Sequence, residues 1–293
     1  MDSFGDSADF VSRPADLPDY LDPPLTEVAI SVQFDALPNY SQVWAGPLWD
    51  LFKTRFPVVQ EQLPLQPVFE TFGSPLSPPS INFSLLDAPM PSRLWFLNQD
   101  QTELLQFQSD RFGRNWRKLP PLDNLYPRFE KMIADFDRDF DSLSAFCKER
   151  GIGNLQPNQC ELTYVNFVPA SSLQEMQAHI PASSLQQTQA HAAGVLKIFQ
   201  FDPNYLPASF SSNFSFVLRG EREEPYGRLH LQAMTAVRFD GVEGLNLTLI
   251  ARGAPRERSV RSSVERLVEF RERIVRSFDA VTRESAHRVW GRK

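Results

Sequence analysis

The sequence predicts an α+β fold: mainly antiparallel sheet packed against two long amphipathic helices, as one fused sheet or as two pseudo-repeated sheet-plus-helix halves. Three observations carry this. TEVAISVQF alternates, with Val28, Ile30, Val32 and Phe34 on one face and Glu27, Ala29, Ser31 and Gln33 on the other, the period of a half-buried strand. Phe129, Met132, Ile133, Phe136, Phe140, Leu143 and Phe146 recur at steps of three and four, the period of a helix with one buried stripe. Runs of strands are each closed by a long helix, which selects antiparallel pairing with helices covering one face.

The elements follow in order. Residues 1–25 hold six Asp and one Arg among prolines and read as an acidic, flexible arm without a core of its own. The alternating strand from Thr26 leads to a helix with Ser41 as its cap and Trp44, Leu48, Leu51 and Phe52 as its stripe, Pro47 disturbing its first turns. Gly73–Pro91 is a Pro- and Ser-rich loop that cannot be a central strand. RLWFLN and TELLQFQ flank a polar turn and form a hairpin, which RFGRNWRKL continues. The Phe-rich helix stops at Gly151, and ELTYVNFV is a further strand. Four strands follow from VLKIFQF to GLNLTLIARG. The closing helix carries a capping box at Ser262 and Glu265, a stripe of Leu267, Phe270, Ile274, Phe278 and Val281, and Glu269–Arg273 and Glu272–Arg276 pairs. The organisation is therefore an arm (1–25), an N-terminal half (26–168), a duplicated linker (169–192) and a C-terminal half (193–293).

Composition sets outer bounds. With 42% hydrophobic and 12% aromatic residues in 293, a sizeable core is available. No apolar run is long enough to span a bilayer and the N-terminus lacks a signal-peptide pattern, so the expected address is cytoplasmic, with no membrane partner. Cys147 and Cys160 have no CxxC companion and read as reduced core thiols. The net charge of -6 is uneven: 251–293 holds twelve Lys or Arg against six Asp or Glu, a basic end that can dock the acidic arm or meet a partner.

No local motif announces an enzyme. Walker A, Gly-x-Ser-x-Gly and His-Glu-x-x-His patterns are missing, and Gly151-Ile-Gly153 follows a helix, so it terminates that helix rather than cradling phosphate. Asp135, Asp137, Asp139 and Asp141 have the spacing of a calcium loop but lie in a helix, where steps of two diverge, and read as a solvated face. Glu284 and His287 read as a surface pair beside Trp290. No catalytic residue, cofactor or metal is assigned. The candidate partner-binding residues are Arg111, Arg114, Asn115, Trp116, Arg117 and Lys118, cations interleaved with aromatics as single-stranded nucleic acid requires, and His230, which shares a strand face with Arg228 and Gln232.

The segments PPLTEVAISVQF, LLQFQSDRFGRNWRKL, YPRFEKM, ELTYVNFV and the final FDAVTRESAHRVWG, in this order from Pro23 to Gly291, resemble a sporadically distributed, uncharacterised bacterial protein family. The resemblance implies an accessory role, such as bacterial defence or a toxin-associated system. It transfers no catalytic residue.

PASSLQEMQAHI and PASSLQQTQAHA form a tandem duplication across Pro169–Ala192, identical at nine of twelve positions. Each copy predicts a short helix, capped at Ser172 and Ser184; the first packs on the body and the second faces solvent. His179 and His191 supply only two ligands, too few for a stable metal site.

The leading expectation is a noncatalytic interaction protein that binds a partner macromolecule, a protein first. One alternative is an enzyme or small-ligand binder with a pocket between sheet and helix, built from residues such as Arg111, Asn115, His230 and Gln232. The other is nucleic-acid binding through RFGRNWRK. The oligomeric state stays open.

Overall fold

The computed structural model describes residues 12–73, 92–122, 124–172, 195–197 and 210–293. Among them are nine strands: β1 (Leu25–Phe34), β2 (Val58–Gln62), β3 (Arg93–Leu97), β4 (Glu103–Gln108), β5 (Arg111–Arg117), β6 (Pro157–Pro169), β7 (Ser211–Arg219), β8 (Pro225–Val237) and β9 (Glu243–Gly253). They form one sheet in the order β2-β3-β4-β5-β1-β6-β9-β8-β7, every pair antiparallel. The sheet runs unbroken across the expected boundary, β6 before it pairing with β9 after it. The helices are α1 (Ala45–Asp50), α2 (Phe129–Glu149), α3 (Val260–Val281) and α4 (Glu284–Val289). None of the described helices is long and apolar enough to cross a membrane.

Register gives each face its character. Val28, Ile30 and Val32 stand beside Trp116, Arg114 and Phe112 of β5 and beside Tyr164, Leu162 and Cys160 of β6, so the apolar positions of several strands fall on one face. Helices cover that face: the Phe112 ring stacks on Phe136 and Phe140 of α2 at 5.8 Å, and the Cys160 thiol lies 3.8 Å from the Ser263 carbonyl of α3. Each such fully buried Phe is worth about 1.5–3 kcal/mol. Gly113 of β5 has a steric reason, because a Cβ there would lie 2.9 Å from the Ile30 carbonyl oxygen of β1. Toward the β7 edge this face is less covered, and Phe214 and Phe216 are exposed.

Several expectations need correction. Strand β2 answers to no predicted element. In the first helix Leu48 and Phe52 are buried but Leu51 is exposed, and Ser41 makes no side-chain cap. α3 is capped by Ser259, whose side chain accepts from the Ser262 amide, while Ser262 is buried and accepts from the Glu257 amide instead of forming a box with Glu265. Glu269 pairs with Arg256 and Arg266 rather than Arg273, and Arg276 reaches Asp16 of the arm. Gly151 ends α2 as expected, with φ +65.

Asp139 is not on a solvated face: it is 1% exposed and accepts from Arg114 at 2.9 Å and from both Arg55 guanidinium nitrogens. Glu103 and Asp135 also bind Arg114, so a charged cluster joins α2 to β4 and β5 inside the helix-covered face. A buried carboxylate is tolerated only with such pairing. Nor is His287 at the surface. It is buried, bonded to Thr282 Oγ1 at 2.7 Å and edge-on to Tyr20.

From residue 12 the acidic arm is docked on the basic C-terminal end. Tyr20 is buried and donates to Asp279, Asp19 pairs with Arg128, and the Leu21 and Asp22 amides donate to the Gly291 and Trp290 carbonyls. The Gly73–Pro91 loop beyond its first residue lies outside the described residues. So does the duplicated segment from residue 173, with His179 and His191.

Candidate binding face and its strap

The other face of the sheet carries the alternate, polar positions. One ladder crosses four strands: Arg93 and Trp95 of β3 donate to Gln106 Oε1 of β4, Gln106 donates to Asn115 of β5 at 2.6 Å, and Asn115 donates to Glu27 of β1. Trp95 lies between the guanidinium groups of Arg93 and Arg117, at 5.4 and 5.7 Å from its ring. A second row runs in register from Gln108 through Arg111 and Gln33 to Gln159, and continues as Glu161, Arg252 and Arg228.

Along this second row lies the segment Leu63–Phe72, which crosses the sheet as a strap. Gln108 grips Leu65 at both backbone groups, accepting from its amide at 2.8 Å and donating to its carbonyl at 2.9 Å. Arg111 donates to the Gln66 carbonyl, Gln33 accepts from the Val68 amide at 3.0 Å, and Arg228 donates to the Thr71 carbonyl at 2.6 Å. From β4 to β8 are five strand spacings of about 4.8 Å, roughly 24 Å. Six residue steps at about 3.4 Å reach roughly 20 Å, so the strap is nearly fully extended and side chains close the remainder. Its sequence suits this, because Pro64 and Pro67 hold the chain extended and remove amides that a tenth strand would need. Side chains therefore hold the strap's backbone, and Leu63, Val68 and Phe69 stay exposed.

The far end of the strap sinks into charge. The Glu70 carboxylate meets Arg228 at 2.9 Å, His230 at 2.7 Å and Arg252 at 3.5 Å, while Arg252 also binds Glu161 at 2.5 Å. Arg228 and Arg252 are directly opposite across β8 and β9, an arrangement that repels unless anions intervene. Burial opposes ionisation of Glu70, but the hydrogen bond and charge of His230, with Arg252 and Arg228, win and hold its carboxyl below the ordinary value. Toward the other end of the strap, burial pushes the Asp110 carboxyl up, against Arg111 and Gln108.

The strand pleat divides the candidate residues. Arg111, Asn115, Arg117 and His230 belong to the polar face, Arg111 and His230 holding opposite ends of the strap. Arg114 and Trp116 point to the helix side, Arg114 into its acid cluster and Trp116 against Tyr126 at 5.2 Å. Lys118 follows the strand, its amide donating to the Thr26 carbonyl. RFGRNWRK therefore does not present one surface. Glu70, Arg228, Arg252, Gln33 and Gln108 were missed, although Arg228 shares its strand face with His230.

Two cavities bear on ligand size. Between the arm, the helices and β6 is a space of about 50 Å³ lined by Tyr126, Tyr164 and Arg271, far below what a substrate needs. Beyond the strap's end opens a cleft of about 1040 Å³, lined by Glu70, Phe72, Gln159, Arg266 and residues of the β7–β8 turn. No protein-family model matches the chain, and no curated protein sequence matches it.

Proposed function

We propose that the chain is a noncatalytic interaction protein that binds an extended segment of a protein partner on the polar face of its sheet. The observation that carries this reading is the strap: side chains of β1, β4, β5 and β8 hold it at Leu65, Gln66, Val68 and Thr71 by backbone groups any peptide possesses. Support also comes from the donors Arg93 Nε, Arg111 Nε, Arg117 Nε and Gln159 Nε2, which are buried on this face without a partner among the described residues. The Leu63, Val68 and Phe69 side chains on the strap add exposed apolar area.

The strand order favours a pseudo-repeat as well, with its second unit starting at β6 rather than after the linker. β5, β4 and β3 extend outward from β1 as β9, β8 and β7 do from β6, and a long helix follows each set. The sequence resemblance supplies the setting, an accessory component of bacterial defence or a toxin-associated system.

The test is photo-crosslinking in the producing cell, with a photoreactive residue at Gln60 or Thr163 on the polar face or at Asp141 on the outer side of α2. Protein adducts from the first two positions and none from Asp141 are expected. Equal labelling from all three overturns the reading. Nucleic-acid adducts would transfer it to the alternative that Trp95 and its flanking arginines favour.

A further inference from the structure

We infer that Arg228, His230 and Arg252 form a socket for an acidic side chain of the partner's extended segment, which Glu70 of the strap fills in cis. This rests on the binding-face reading above and adds the chemistry that the occupant must bring.

The argument starts from Arg228. Its side chain is 8% exposed, its salt bridge is to Glu70, and it faces Arg252 across the β8–β9 pair. Glu161 is already engaged with Arg252 Nε. If the strap lifts, a buried guanidinium loses its counter-charge beside a second guanidinium, a state costly enough to demand another carboxylate. An occupant without an acid would leave that demand unmet. Arg228 also donates to the Thr71 carbonyl next to Glu70, so the same residue reads the acid and the backbone that follows it.

Two further observations indicate a site made for a chain that passes through. Gln159 is 5% exposed, its Nε2 has no partner among the described residues, and it lines the cleft that also receives Glu70 and Phe72. That cleft continues past the socket with about 1040 Å³, enough for the residues that would follow the acid. The strap itself supplies the template: a proline-bearing extended run that brings little conformational entropy to lose, then a glutamate five residues after the Gln108 clamp. The predicted ligand class is therefore an extended, proline-containing acidic peptide, and the strap is its intramolecular competitor.

The test uses the full chain and a fluorescein-labelled peptide of sequence LPLQPVFETF, with fluorescence anisotropy as readout. Glu70→Lys turns the cis occupant against the socket, and Glu70→Gln, which removes only its charge, serves should the first variant fold poorly. Either variant should bind the peptide at least about tenfold more tightly than the unaltered chain, as removal of a competing state requires. The E70Q form of the peptide should bind the same variant at least about tenfold more weakly, a change that cannot disturb folding of the protein. Equal binding of the two peptides overturns the socket and leaves the binding face standing. Equal binding to the unaltered and variant chains overturns cis occupancy. No binding to either variant overturns both, while crosslinking decides separately on the face. Strap-exchanged dimers of the variants, seen by light scattering, would overturn the partner in favour of a second copy.

Discussion

Asp139→Ala should be among the most damaging single changes outside the aromatic core. Asp139 is 1% exposed and neutralises Arg114, which is 4% exposed, while also holding Arg55. Breaking a buried pair by deleting one partner costs about 3–5 kcal/mol, because the remaining charge is stranded. Here Glu103 and Asp135 still reach Arg114, which lowers the expected loss to about 2–3 kcal/mol. With a urea slope of about 3 kcal/mol/M, the unfolding midpoint followed by circular dichroism should fall by roughly 0.7–1 M. Arg114→Met combined with Asp139→Leu should recover at least half of that, since an apolar pair of similar volume removes the stranded charge. A midpoint shift under about 0.2 M for Asp139→Ala, or a double variant weaker than the single one, would refute the account of this cluster.

Gly113→Ala should cost about 2 kcal/mol, because the new methyl meets the Ile30 carbonyl across the β1–β5 pair; an unchanged unfolding midpoint would count against it. Burial pushes the Cys147 thiol up to about 11 and that of Cys160 up to about 12, so Ellman's reagent at neutral pH should titrate neither in the native protein and both after denaturation. The depressed Glu70 carboxyl gives stability that is present above its unfolded pKa and lost as pH falls through the folded one. Hydrogen-exchange protection at the Leu65 and Val68 amides, corrected for intrinsic rate, should therefore drop on acidification, with Arg228, His230, Arg252 and Glu161 facing the group that titrates. An identical pH profile in Glu70→Gln would sink that assignment.

Periodicity made much of the fold legible. Thr26–Phe34, the hairpin before RFGRNWRK and both long helices are each long and regular enough for one face to be read from spacing alone. β2 escaped because its five residues VVQEQ alternate only briefly and its partner β3 is some thirty residues away. The polar residues were harder. Asp139 and His287 looked like surface groups because sequence spacing gives their own helix face but not the arginines or the arm that cover it. The site was half visible: His230 and Arg228 stood out as one polar strand face, whereas Glu70 arrives from 160 residues away in a segment with no periodicity of its own. A polar alternate face containing glutamines at Gln33, Gln108 and Gln159 was the available signal, since glutamine suits the gripping of backbone amides and carbonyls together.

Where the two expected halves meet, β6 lies in register against β9 from Cys160↔Gly253 to Pro169↔Gly244. A boundary that lies in the middle of a sheet is the reverse of a hinge: each half keeps its outermost strand and lends its innermost one to the other. If either half came loose, the other would expose a full-length hydrogen-bonding edge, of β6 or of β9, the surface on which chains aggregate. The two halves are thus bound to melt together, and the protein should behave as one cooperative unit in spite of its size.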